Sequence, residues 1–352
     1  NPYEGITVTN VDVGRVPILF KSFWQSLDAP LIARWASVFV LIVEIAFFGV
    51  FRFDKFFTAN NWFIIINNTA LLGIVAGGLT IALVVGDFDL SIAGTIGLGG
   101  VVAVKVIDPD SIRDITMEPN NWKILAALLA AVLIGAIIGT INGIIVTGFG
   151  INAFVATLGT GAILVGVHRW QTDRDLPTRN RFQEIANSEW PDFHFLRLRM
   201  MVWIMAGILL LLTFVLSRTV AGRRIDAIGG NTVAAHLAGI RVSRYRVLAF
   251  AISGMCAATT GALLAARTSV ASTTAGNPFL LEAFTACFLG AVTFRNAEFN
   301  ILGTFIGVLF LKVTFSGIAL MGWPNYWPPI ATGGILILAM SSSGLVKKLL
   351  NQ

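Results

Sequence analysis

Apolar segments of membrane-spanning length recur along this chain from residue 35 to residue 345. Few folds accept such a pattern. The hydrocarbon core cannot hydrate a backbone, so a spanning segment is either a helix or a strand of a closed barrel. Barrel strands alternate apolar and polar residues, and these runs do not. A spanning helix needs roughly 20 apolar residues. The segments 35–51, 62–85, 90–106, 124–149, 151–168, 200–216, 247–266, 282–293, 301–315 and 329–345 qualify or come close. The expected fold is all-α and polytopic, with about ten transmembrane helices, some broken or re-entrant. Segments 282–293 and 301–315 are short enough to be half-helices. Composition agrees: 12% of residues are charged, against about 25% in a soluble domain.

An even number of spans puts both ends on one side. Lys and Arg divide almost evenly between the two faces, so the positive-inside rule does not orient the chain. The polar segment 219–246 favours the cytoplasm, with Arg223, Arg224, Arg241, Arg244 and Arg246 against the single acid Asp226. Segment 169–199 interleaves its arginines with Asp173, Asp175, Glu184, Glu189 and Asp192 and reads as an ordered outer loop on which a soluble partner lands. The domain layout is therefore an N-terminal cytoplasmic or interfacial segment 1–34, a membrane domain 35–345 and a tail 346–352. Within 1–34, Phe20, Phe23, Trp24 and Leu27 mixed with Lys21, Asp28 and Arg34 fit either an interfacial helix or a flexible tail. The first residue is Asn rather than Met, so the natural start is expected upstream, and no signal peptide is visible.

Three interruptions carry the polar chemistry. Gly86-Asp87-Phe88-Asp89-Leu90-Ser91 separates two apolar segments. Gly86 permits a sharp turn, and Asp89 or Ser91 either caps the next helix or lines a pathway at a broken helix. Thr268 to Phe279, rich in hydroxyls with Gly276 and Pro278, reads as a re-entrant turn or a surface loop. Asn231 to Ile240 reads as a short helix, capped by Asn231 and ended by Gly239. Gly135, Gly139 and Gly143 recur on one helical face, the spacing that lets membrane helices pack backbone to backbone, and Gly73, Gly77 and Gly78 serve similarly. Asn67, Asn68, Asn142, Asn152 and Thr157 fit bonds to a polyhydroxylated solute or to another helix. Glu44 costs roughly 3 kcal/mol if charged at mid-bilayer, and Lys312 is expected to snorkel outward. Cys256 and Cys287 read as small hydrophobes. There is no Gly-Lys dipeptide and so no Walker A loop, and no zinc motif. Asp87 and Asp89, two apart, would face different ways on a helix and form no dyad. A net charge of +6 makes no case for nucleic acid.

Gly86-Asp87-Phe88-Asp89-Leu90-Ser91-Ile92-Ala93 resembles the Gly-Gly-Ile-Asp-Leu-Ser-Val-Gly signature of ribose-type (monosaccharide) ABC transporter permeases. Gly139-Thr140-Ile141-Asn142-Gly143 and Phe154 to Thr160 resemble that family's Asn-Gly and Phe-Ile-Ala-Thr-Leu-Gly-Thr stretches. Ala227 to Asn231, with Ala234, Ala235, Gly239 and Ile240, resembles its cytoplasmic coupling loop. Thr274-Ala275-Gly276 and Leu281-Glu282-Ala283 follow in order. The resemblance implies the permease subunit of a bacterial inner-membrane importer, with both termini cytoplasmic, working with a second permease copy or paralogue in membrane lipid. A separate ABC ATPase subunit would bind ATP and Mg, and a periplasmic sugar-binding protein would deliver a monosaccharide or polyol. The chain itself would carry no cofactor, metal, enzyme site or nucleic-acid contact. Gly230, Asn231, Ala234, Ala235, Leu237, Gly239 and Ile240 would meet the ATPase. Candidate pathway residues are Asn67, Asn68, Asp89, Ser91, Asn142, Asn152, Thr157, Thr274 and Glu282. Two departures stand out: Asp87 replaces a glycine, and a glycine-rich motif becomes the stretch from Gly290 to Phe299. The competing readings are a permease for branched-chain amino acids or nucleosides, and an ion-coupled secondary transporter.

Overall fold

Every apolar segment named above is helical where the structure describes it. The computed structural model describes residues 29–107, 121–171, 175–177, 182, 198–294 and 298–350. Its helices in chain order are α1 (Ala29–Phe51), α2 (Phe53–Phe56), α3 (Ala59–Val84), α4 (Ile92–Ile107), α5 (Asn121–Gly148), α6 (Ala153–Gln171), α7 (Met200–Arg218), α8 (Val220–Gly230), α9 (Thr232–Leu237), α10 (Val242–Thr268), α11 (Asn277–Phe294), α12 (Ile301–Leu320) and α13 (Trp327–Leu350). Two short strands, β1 (Leu176–Pro177) and β2 (Val270–Ala271), pair antiparallel. Residues 1–28, most of the 169–199 loop, 295–297 of the altered glycine motif and the last two tail residues lie outside the described residues.

Among the described helices, α3, α5, α6, α7, α10 and α12 are long and apolar enough to cross a membrane, while α1, α4, α11 and α13 hold shorter apolar stretches. Segment 301–315 is not a half-helix: it continues to Leu320 as part of α12. Helix starts follow the side chains that satisfy orphan N–H groups. Thr58 accepts from the Asn61 N–H at 3.3 Å, Thr219 from Gly222 at 3.1 Å and Asn300 from Gly303 at 2.6 Å. The stretch after α10 holds a short strand followed by a turn at residues 273–276 before α11. Ser269 takes a left-handed conformation with φ 60°, and β2 pairs with β1, with Leu176 opposite Ala271.

The glycine stripe of α5 packs as its spacing predicts. A Cβ at Gly135 would strike the Gly254 carbonyl, one at Gly139 the Phe250 carbonyl and one at Gly143 the Val247 Cα, all on α10. Those two backbones are in contact, the arrangement that holds helices together where no hydrophobic effect acts between them. Gly73 and Gly77 instead accept the side chains of Met205 and Leu209 from α7, and Gly78 accepts Cys256. Leu125, Leu129, Leu133, Ile137 and Ile141 step every four residues along another face of α5 and are exposed, forming a lipid stripe. Helices α3 and α10 are mostly buried and make the centre; α5, α6 and α7 are mostly exposed and make the wall.

Candidate functional site

Between α3 and α4 the backbone is non-helical from Asp87 to Asp89. Gly86 makes the turn possible with φ +88°, a conformation costly for other residues. Across this break Asp87 and Asp89 point one way and Phe88 another. The two acids both reach α10. Arg246 donates Nε to Asp87 Oδ2 at 2.6 Å and Nη2 to Oδ1 at 2.5 Å, while Ser253 donates Oγ to Asp89 Oδ2 at 2.7 Å. Arg246 and Ser253 are about two helical turns apart and share a face. The expectation that the two acids diverge thus fails, because it assumed a helix. They still form no dyad, since each has its own partner. On the other side Phe88 stacks on Phe284, with ring centroids 5.9 Å apart, and on Phe288 at 6.3 Å.

Four pathway candidates meet at this break. Ser91 Oγ donates to Asp89 Oδ1 at 2.6 Å and accepts from Asn142 Nδ2 of α5 at 2.8 Å. Thr157 of α6 accepts from the Leu90 N–H at 3.0 Å, and its hydroxyl lies 3.2 Å from the Phe88 carbonyl. All four side chains, and Ser253, are fully or almost fully buried. Asn142 Oδ1 has no hydrogen-bond partner among the described residues. The cluster anchors the break to α5, α6 and α10. Apart from that Asn142 oxygen, burying these groups is tolerable because they satisfy one another.

The other five candidates lie elsewhere. Asn67 accepts from the Arg199 N–H at 2.9 Å. Asn68 accepts from Arg267 Nη2. Asn152 caps α6 through the Phe154 N–H at 2.9 Å. Thr274 sits in the turn before α11, 3.5 Å from the Ser272 hydroxyl. Glu282 pairs with Lys312 at 2.7 Å between α11 and α12. Lys312 therefore does not snorkel outward: its ammonium is held inside, 4.9 Å from the Phe315 ring centroid, because two opposite charges at membrane depth are cheaper paired than apart. Sequence reading missed Arg246, Ser253 and the phenylalanine stack. The seven-residue interval from Arg246 to Ser253, which puts both on one face of α10, was the available signal.

The second candidate element is α9. Asn231 accepts from the Ala234 N–H at 2.9 Å and starts it. Gly239, at φ +80°, ends it, and the Ile240 N–H closes on the Ala235 carbonyl at 3.1 Å. Leu237 is 81% and Val233 70% exposed, one turn apart on the same face. Gly230, Ala234 and Gly239 are exposed and Ile240 half-buried. Ala235 differs from expectation: it is buried against the rest of the chain, so its role is to seat the helix. Val233, which the sequence reading passed over, takes its place on the free face.

A family model described as "Branched-chain amino acid transport system / permease component" matches residues 61–340, which contain the break, the cluster and α9. Among curated relatives, the ribose import permease protein RbsC of Escherichia coli K12 is 33% identical over 306 residues, covering 86% of this chain and 91% of that protein. The D-allose transport system permease protein AlsC of the same strain is 27% identical over 94% of this chain and 95% of its own length. The L-arabinose ABC transporter permease protein AraH of Azospirillum brasilense is 27% identical over 90% of this chain and 88% of its own. No solved structure matches the chain. With the match spanning nearly the whole helical body, the chain belongs to this family of ABC transporter permeases, as a multi-pass protein of the inner membrane.

Proposed function

We propose that this chain is the pathway-forming subunit of an importer for a monosaccharide or related polyol, driven by a separate ATPase that grips α9. The observation that carries the reading is the apolar pair Val233 and Leu237, exposed on a capped helix within the arginine-rich segment 219–246. An apolar pair presented among charges suits the groove of a protein partner. Gly230, Asn231, Ala234, Gly239 and Ile240 shape that surface; Ala235 supports it from beneath. The ATPase supplies the ATP and Mg site, a periplasmic sugar-binding protein supplies substrate, and a second copy or a paralogue completes the pathway.

The substrate class follows the relatives, whose names specify ribose, allose and arabinose. The family description names branched-chain amino acids, and those form the second substrate class to assay. A ligand that bound both conformations equally would shift neither, so direction comes from nucleotide state and from the delivery protein. The test is uptake in proteoliposomes holding the permease, its ATPase and the binding protein, assayed with D-ribose, D-allose, L-arabinose and leucine. Leu237→Arg should lower sugar uptake by about tenfold or more while the bundle still folds. Uptake driven by an ion gradient without ATP, or unchanged uptake in that variant, counts against the reading.

A further inference from the structure

The Asp87–Arg246 pair joins two parts of the chain with separate tasks. Arg246 lies in the first turns of α10, directly after α9 and its closing glycine. Asp87 lies in the break. Two parallel bonds of 2.6 and 2.5 Å hold them, and a bidentate pair fixes orientation as well as distance. The Asp87 side chain is 6% exposed. A buried carboxylate stripped of its cation is left uncompensated at high cost, so the two groups move together.

The residue after Asp87 is Phe88. Phe88 is 38% exposed, and its ring packs against both Phe284 and Phe288 of α11, which also pack on each other. Non-helical backbone beside apolar helices is tolerated only where protein covers it or where it borders a watery space. Phe88 sits on such backbone with part of its surface uncovered by the rest of the chain. Thr157 holds the far flank, at the Phe88 carbonyl and the Leu90 N–H. A pull at Asp87 therefore acts against a fixed point one residue away.

We propose that Phe88, backed by Phe284 and Phe288, closes the solute pathway, and that the Asp87–Arg246 pair tethers this ring to the segment the ATPase moves. Phe88 meets the solute; Asp87 and Arg246 are positioning residues. The second half of the proposal rests on the reading of α9 as the ATPase-gripped helix; the first half does not.

Two measurements separate the halves. The permease alone, in liposomes preloaded with radiolabelled D-ribose, should release the sugar several-fold faster as Phe88→Gly than as wild type, with Phe88→Leu close to wild type, because an apolar constriction needs bulk rather than aromaticity to exclude water. Equal release from Phe88→Gly and wild type overturns the seal. In the full complex with ATPase and binding protein, Arg246→Asp should raise ATP consumed per ribose imported by about tenfold, with hydrolysis itself little changed. Adding Asp87→Arg to that variant should restore the ratio. Asp87→Asn, which keeps the shape and removes the charge, gives the same readout where the reversed variant does not fold. An unchanged ratio in the single variants, or an assembled double variant that stays uncoupled, overturns the tether. Loss of ATPase docking in no variant, Leu237→Arg included, would instead strike the coupling reading and leave the efflux result standing.

Discussion

At the scale of single residues, the site is a set of polar groups that tolerate burial only by satisfying one another. Asp89 is wholly buried, and its oxygens accept from the Ser91 hydroxyl, the Ser91 N–H and the Ser253 hydroxyl. Removing one donor to a buried carboxylate costs about 1.5–3 kcal/mol, whereas losing an exposed helix cap costs about 1 kcal/mol. Ser253→Ala should therefore lower the unfolding temperature in detergent more than Asn152→Ala does, although the sequence ranked Asn152 as the pathway candidate and did not name Ser253. Thermal scanning of both variants checks this; equal shifts would mean the Ser253 bond contributes nothing beyond a surface cap. Residue type gave Asp89, Ser91, Asn142 and Thr157 correctly as polar groups set in apolar surroundings. It did not give their partners, which come from other helices, nor the inward pairing of Lys312 with Glu282.

At the scale of elements, the helices were legible because the bilayer leaves a polar backbone no alternative to satisfying itself. Segment 247–266 was found, yet α10 begins earlier, at Val242, since Arg244, Tyr245 and Arg246 are polar residues within a helix and break the apolar run without breaking the helix. The α5 stripe is the element-scale feature with the sharpest consequence. Gly139→Leu should disrupt the α5–α10 contact, at a cost of about 1–3 kcal/mol or more for overpacking a close interface. Gly159 on α6, where an added Cβ meets nothing within 4 Å, is the control. Size-exclusion profiles and unfolding temperatures should separate Gly139→Leu from Gly159→Leu; matching behaviour would show that glycine spacing alone does not hold these helices together.

At the scale of the whole molecule, a crossing of the membrane by α10, by the shorter α11 and by α12 would put α9 and the loop between α12 and α13 on opposite sides. The native Cys256 and Cys287 are buried, so an introduced thiol reads its own location. Val233→Cys should react with a membrane-impermeant maleimide only from the cytoplasmic side and Tyr326→Cys only from the outer side; labelling of both from one side would overturn the topology. The sequence by itself determined that this chain is a helical membrane protein with a short capped helix inside a polar segment, because hydrophobic length, glycine spacing and cap residues act locally or through the lipid. Only the tertiary structure decided that Asp87 and Asp89 reach one face of α10, that Phe88 joins an aromatic stack and that Ala235 faces inward. Those facts depend on which helix lies opposite, and side-chain direction across a non-helical turn is set by neighbours far away in the chain.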